Sequence, residues 1–244
     1  MNRNTFIKTS FLGSLGMLGW NSLMSFQQFS IYSENDLIGK GKIPLEGNGY
    51  KLRKEASEQF LAMKKAAAKE GFNIYSVSSF RSYDRQNTIW TRKYKRFQNQ
   101  GFSSLKSIEK IIEYSTIPGT SRHHWGTDLD IVDAHKKIPS NPLNAKHFEK
   151  HGIYYTFKQW LNENSTNFGF YEVYTNDVDR KGFKYEPWHF SYQPLAKIML
   201  EEYKKMDIKL LLQKNNLIGS DYFTDEFIEK YTKENILDIN KKLL

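Results

Sequence analysis

The chain has 244 residues, 39% apolar and 15% aromatic, enough to bury a sizeable core, which excludes disordered, collagen-like and low-complexity classes. Thirty-six Lys and Arg against 27 Asp and Glu give a net charge of +9, which suits nucleic acid, anionic lipid or an anionic polymer without selecting among them. With no cysteine, a disulfide framework, Cys-ligated zinc, a thiol nucleophile and a lipidated N-terminal Cys are all excluded, and any metal has to be held by His and carboxylates.

Residues 1–33 differ in composition from the rest. Arg3 and Lys8 precede 25 uncharged positions, 9–33, with the densest apolar run over 11–20. A basic stretch followed by a short apolar one is an export signal. Residues 3–8 resemble a twin-arginine motif with Asn4 in place of the second arginine, and no A-x-A cleavage site follows. The alternative is an uncleaved N-terminal anchor attaching the protein to a membrane, although the stretch falls short of the ~20 apolar residues that span a bilayer. Either way the protein is expected to be exported and to work in the periplasm or cell envelope.

Residues 34–50 carry Gly39, Gly41, Gly47 and Gly49 and read as a lead-in loop. The domain proper is expected over 51–205. Residues 53–70 place Ala56, Phe60, Met63 and Ala67 at helical spacing and stop at Gly71. Residues 72–79 read as a strand; helices follow over 84–99, with Asp84 as cap, and from Ser103 or Ser104 to 114. Strands are expected at 127–132 and 170–175 with a helix over 155–163 between them. After the segment 185–192, Pro194 opens a helix to about 206, and the tail 206–244 continues helically. Helices and strands without regular βαβ alternation predict an α+β fold.

Three short segments concentrate groups that chemistry can use: SFRSYDRQ at 79–86, SRHHWGTDLD at 121–130 and EPWH at 186–189. A catalytic zinc needs three N or O ligands, an open position for water and a nearby base. His123, Asp130 and His189 supply three ligands, and Glu186 stands three residues before one of them. An odd offset of seven places His123 and Asp130 on opposite faces of a regular strand, so His123 has to lie in the loop before it, with Gly126 supplying the bend. Glu186 and His189 share a cavity only if Pro187 breaks strand regularity between them.

The second and third segments resemble the S-x-H-x-x-G-x-A-x-D and E-x-W-H motifs of the zinc D-alanyl-D-alanine carboxypeptidases and dipeptidases related to VanY and VanX, peptidase family M15. Ser121, His123, Gly126 and Asp130 match the first; Glu186, Trp188 and His189 match the second; Phe80, Arg81, Ser82, Tyr83 and Gln86 resemble an upstream Y-R-S-x-x-x-Q motif. The resemblance covers roughly residues 51–205 and leaves 206–244 without an assigned role. It implies a Hedgehog/DD-peptidase-like fold, a small antiparallel sheet with flanking helices, and a zinc peptidase acting on peptidoglycan stem peptides. In that reading His123, Asp130 and His189 hold Zn²⁺, Glu186 is the base, and Arg81 stabilises an oxyanion or forks onto a carboxylate. Ser121, Gln86, Arg81 and Trp188 hold the peptide.

Asp128 departs from the pattern, which has Ala there. It shares a strand face with Asp130 and can join the metal's outer shell, orient a ligand or replace Asp130. His124 points away from His123 in any extended backbone and reads as structural or as a support to the site. His147 and His151, four apart, would share a helix face, yet Lys146 and Lys150 make a solvated face the better reading. The basic run 92–96 reads the same way, on an exported chain with no nucleic-acid partner. The expected activity is release of terminal D-Ala; the alternatives are an L,D-carboxypeptidase or endopeptidase with the same metal centre, or a non-catalytic wall-binding module. The full set of ligands together with Glu186 speaks against the last.

Overall fold

In the computed structural model, which describes residues 32–244, four strands make one antiparallel sheet: β1 (Ile74–Ser78), β2 (Asp128–Asp133), β3 (Phe170–Glu172) and β4 (His189–Tyr192), in the spatial order β1-β2-β4-β3. The export segment expected over residues 1–33 lies, as far as residue 31, outside the described residues. Eight α-helices flank the sheet in the described residues: α1 (Glu34–Leu37), α2 (Lys54–Lys69), α3 (Tyr83–Asn99), α4 (Ser104–Ile111), α5 (Tyr155–Asn164), α6 (Gln193–Lys204), α7 (Ile208–Lys214) and α8 (Asp225–Tyr231). This is the α+β arrangement of a small antiparallel sheet with flanking helices that the sequence predicts.

Successive side chains of a strand point to opposite faces, and β2 divides its residues accordingly. Leu129 and Ile131 pack with Phe60 and Met63 of α2, Phe157 and Leu161 of α5, and Phe190 of β4. Each large apolar side chain buried there contributes about 1.5–3 kcal/mol, so this layer anchors the sheet. Asp128 and Asp130 are left on the other face. The register sets Asp130 opposite His189 and Asp128 opposite Ser191, while a shift between Ser76 and Ser78 in β1 brings Ser78 opposite Asp130.

Where elements differ from expectation, a specific contact is the cause. Ser82, not Asp84, caps α3 by accepting from the Arg85 N–H, and Asp84 falls in the first turn, where its charge suits the helix dipole. Residues 34–50 contain α1, because Ser33 and Asp36 form a reciprocal capping box and Leu37 is buried. β3 stops at Glu172, since the Tyr174 carbonyl accepts instead from the Glu186 N–H. His147 and His151 do not share a helix: His147 ends a single 3-10 turn (Ala145–His147) and His151 takes a left-handed φ of 73°.

The tail 206–244 is an interrupted series of helices. Asn216 and Gly219 take positive φ between α7 and α8, and a π-helical turn (Thr232–Ile236) follows α8. Leu211, Phe223, Ile228 and Tyr231 pack with Trp90 and Tyr94 of α3 and Met199 of α6 in the second and larger apolar cluster.

Candidate metal centre and active site

The polar face of β2 and β4 carries the candidate ligands. His123 lies in a 3-10 turn (Arg122–Trp125) that ends at Gly126 with φ 70°, and this left-handed residue turns the chain into β2. The His123 Nδ1 is 2.8 Å from the Ser79 carbonyl oxygen, so Nδ1–H donates there and Nε2, 3.4 Å from Asp130 Oδ2, keeps its lone pair toward the site. The His189 ring stacks on that of His123 at 4.7 Å between centroids. Its Nδ1 faces Glu186 Oε2 at 3.0 Å and Asp130 Oδ1 at 4.0 Å. Pro187 and Trp188 form a turn closed by the His189 N–H on the Glu186 carbonyl, and this turn brings Glu186 and His189 into one cavity.

One donor atom from each of His123, Asp130 and His189 lies within 4.8 Å of the others. Asp130 Oδ1 is buried and accepts no hydrogen bond, which is costly for a carboxylate oxygen unless a cation takes it. Two imidazoles and a carboxylate are a zinc donor set, so the residues present fit that metal.

The electrostatics are those of a crowded buried cluster. Burial alone would raise the Asp130 carboxyl, but His123, His189 and Arg81 outweigh it and hold it below the ordinary value. Burial alone would lower His189; its hydrogen bonds to Asp128 and Glu186 and the charge of Asp130 overcome that and push the imidazole up to about 10. Asp128 is held well below the carboxylate range, with Arg122 and His189 prevailing over burial.

Arg81 reaches the site from the segment after β1. Its Nη1 donates to Gln86 Oε1 at 2.6 Å, its Nη2 donates to Ser78 Oγ at 3.0 Å, and Nη2 lies 3.9 Å from Asp130 Oδ2. A cleft of about 710 Å³ opens over the centre, lined by Arg81, Ser121, His123, Asp130, Glu186, Trp188 and His189 among others.

Gln86, read as a peptide-holding residue, stands elsewhere. It is fully buried off the cleft wall, with Nε2 donating to the Thr116 carbonyl at 2.7 Å and Oε1 accepting from Arg81. Trp188 lines the cleft, whereas Trp125 is buried with its indole N–H on the Leu37 carbonyl. His124 bridges the Arg81 carbonyl and the Gly119 N–H. Gly39 lies against that ring, where a Cβ would stand 2.3 Å from Nδ1.

Two residues escape the motif reading. Lys93 lines the cleft from α3, and its place seven residues after Gln86, two helical turns along, was the available signal. Arg122 pairs with Asp128 at 3.1 Å inside the protein, and nothing in its spacing announces this.

The sequence model of the VanY family, described as D-alanyl-D-alanine carboxypeptidase, matches residues 49–195, more than half of the chain, so the protein belongs to that family. Bacillus subtilis (strain 168) YodJ is 35% identical over 161 residues, 62% of this chain and 53% of YodJ; the chain thus spans about half the length of that relative. VanYB in complex with D-alanine-D-alanine has the same fold, with a TM-score of 0.52 at 23% identity over 72% of this chain and 92% of that one. A variant of the vancomycin-resistance D,D-pentapeptidase VanY in complex with Zn(II) is similar at a TM-score of 0.50 and 26% identity, covering 67% of this chain and 90% of that one. Zinc in that relative and the buried His123, Asp130 and His189 group here agree on the metal that the site fits.

Proposed function

We propose that the protein is an exported, zinc-dependent carboxypeptidase that removes terminal D-alanine from peptidoglycan stem peptides. The observation that carries this reading is the meeting of His123, Asp130 and His189 with Glu186 and Arg81 on the wall of one cleft. When bound, zinc supplies a Lewis acid that polarises the scissile carbonyl and lowers the pKa of water toward about 7.

Glu186, whose Oε2 lies 3.0 Å from His189 Nδ1 at the edge of the ligand set, takes a proton from the attacking water and returns it to the leaving amine. Arg81, fixed by Gln86 and Ser78, meets negative charge, either that growing on the carbonyl oxygen or that of the terminal carboxylate. Ser121 and Trp188 wall the position where the end of the peptide lies. The cleft volume falls in the range of roughly 300–1,000 Å³ typical of small-ligand sites, which suits a peptide terminus. Among the described residues no helix is long and apolar enough to cross a membrane, so attachment to one rests on residues 1–33.

The test is release of free D-alanine from a stem pentapeptide ending in D-Ala-D-Ala by the zinc-loaded protein, with and without a chelator. Chelator-sensitive release is expected. A folded, zinc-loaded sample that releases none would sink the assignment and direct attention to L,D-cleavage of tetrapeptides and to cross-linked dimers.

A further inference from the structure

Two carboxylates share the polar face of β2, and their surroundings differ in kind. Asp128 Oδ1 accepts from Thr127 Oγ1 and Ser191 Oγ, both at 2.7 Å. Asp128 Oδ2 accepts from Arg122 Nε at 3.1 Å and lies 3.0 Å from His189 Nε2. Four donors saturate the lone pairs of a carboxylate, which leaves Asp128 nothing to offer a cation. Asp130, two residues on, keeps Oδ1 unpartnered in the same buried face. The pair therefore divides its work, with Asp130 facing the metal and Asp128 facing the back of a ligand.

From that division we infer that Asp128, charge-balanced by Arg122, is a positioning residue that fixes His189 as its Nε2–H tautomer, so that the Nδ1 lone pair is turned to the metal. This rests on the reading of His123, Asp130 and His189 as zinc ligands. A neutral imidazole carries one N–H; Glu186 Oε2 lies as near to Nδ1 as Asp128 Oδ2 does to Nε2, both at 3.0 Å, so a cation on the Nδ1 lone pair leaves the N–H to Nε2, where the Asp128 carboxylate accepts it. The same contact makes the ligand more basic and stops the ring rotating about its χ2 axis.

Arg122 is what makes a further buried carboxylate tolerable next to Asp130 and Glu186. Its guanidinium bonds Asp128 through Nε and Ser191 through Nη2 at 2.8 Å, and it lies over the Trp125 ring at 4.6 Å. The added negative charge is thus cancelled within the network, and the charge facing the metal remains that of Asp130. An Ala at position 128, the residue of the motif that this segment resembles, accepts no such bond.

The experiment needs two measurements. In zinc-loaded parent protein labelled with ¹⁵N-histidine, long-range proton–nitrogen NMR is expected to show His189 protonated at Nε2 and metal-bound at Nδ1. The opposite assignment overturns the inference on the parent protein alone, with no substitution involved. In parallel, zinc affinity is measured by competition with a chromophoric chelator, and the cobalt(II) spectrum is recorded, for the parent, Asp128→Asn and Asp130→Asn. Asp128→Asn is expected to fold, to weaken zinc binding by roughly 10- to 100-fold and to shift the cobalt bands, with Asp130→Asn losing far more. Parent-like affinity in Asp128→Asn overturns the inference alone, as does loss of zinc by Asp128→Asn with retention by Asp130→Asn. A parent that takes up no zinc overturns this inference together with the metal reading beneath it.

Discussion

His123 turns its Nε2 and His189 its Nδ1 toward the same site, and the protein holds the two rings by opposite means. His123 sits on a short 3-10 turn and is oriented by a neutral backbone acceptor, the Ser79 carbonyl. Its turn is tied to its surroundings at a distance, through His124 to Gly119 and through Gly119 to the Tyr203 hydroxyl of α6. His189 opens a strand whose register opposite Asp130 is set by the sheet, and it is oriented by a charged acceptor inside an ion-pair network. One ligand is placed by loop contacts that can loosen singly. The other is placed by strand pairing and buried charge, which fail together.

The largest effects are expected where the chemistry meets the strand-borne arm. His189→Ala loses both zinc and hydrolysis, whereas Glu186→Ala keeps zinc and loses hydrolysis by about 10²- to 10⁴-fold, checked by metal analysis beside D-alanine release. A Glu186→Ala protein that hydrolyses as fast as the parent would remove Glu186 from its role as base. Next comes Arg122→Met, which leaves the Asp128 charge buried without its partner and is expected to cost about 3–5 kcal/mol in denaturant unfolding. A loss below ~1 kcal/mol would mean that the network around His189 is no stiffer than the loop around His123, and the contrast between the arms would collapse.

How much of this was legible in the sequence follows from the range of the interactions. α2, the strand carrying Asp130 and the break at Pro187 are local, written in spacing and in Gly or Pro chemistry, and they were read close to their observed positions. The ligand set was legible because three motifs fall in order. The capping box at Ser33 is masked in the sequence by Gly39, Gly41, Gly47 and Gly49, which favour a loop over residues 34–50. Arg122 was invisible for a different reason: its partner depends on which way a 3-10 turn points it, and spacing does not encode that. For Gln86 the motif points to the peptide, whereas its burial behind Arg81 depends on the loop at 115–116, which spacing does not encode.

The tail supplies a milder test of the loop-borne arm. The Tyr231 hydroxyl accepts from the Ile117 N–H at 3.0 Å and bonds Thr120 Oγ1 at 2.8 Å, reaching across 114 residues to the loop that precedes His123. Tyr231→Phe keeps the packed ring and deletes both bonds, at an expected cost of about 1–2 kcal/mol, with one buried N–H left unpaired. If the arms are independent, the zinc-loaded variant shows changed ¹⁵N shifts at His123 and parent-like ones at His189. Equal perturbation of both would show that loop and strand move as one unit.

The smallest effect is expected on the wall that belongs to neither arm. Lys93 enters the cleft from α3, and burial, with Arg81 adding to it, brings its ammonium down to about 8. The folded-state value lies below the ordinary 10.5, so the charged form costs stability at neutral pH, and that cost is relieved as pH rises from about 8 toward 10.5. Lys93→Met is therefore expected to melt higher than the parent at pH 7, with the gap closing by pH 10.5. In the parent, raising pH through about 8 removes a positive charge from the cleft and raises KM for a peptide ending in a carboxylate. Lys93→Met should show that higher KM already at pH 7, by roughly 2- to 5-fold, and lose the step near 8 while kcat and zinc affinity hold. A step that persists in Lys93→Met would belong to another group, and a change in zinc affinity would place Lys93 within the reach of the histidine arms.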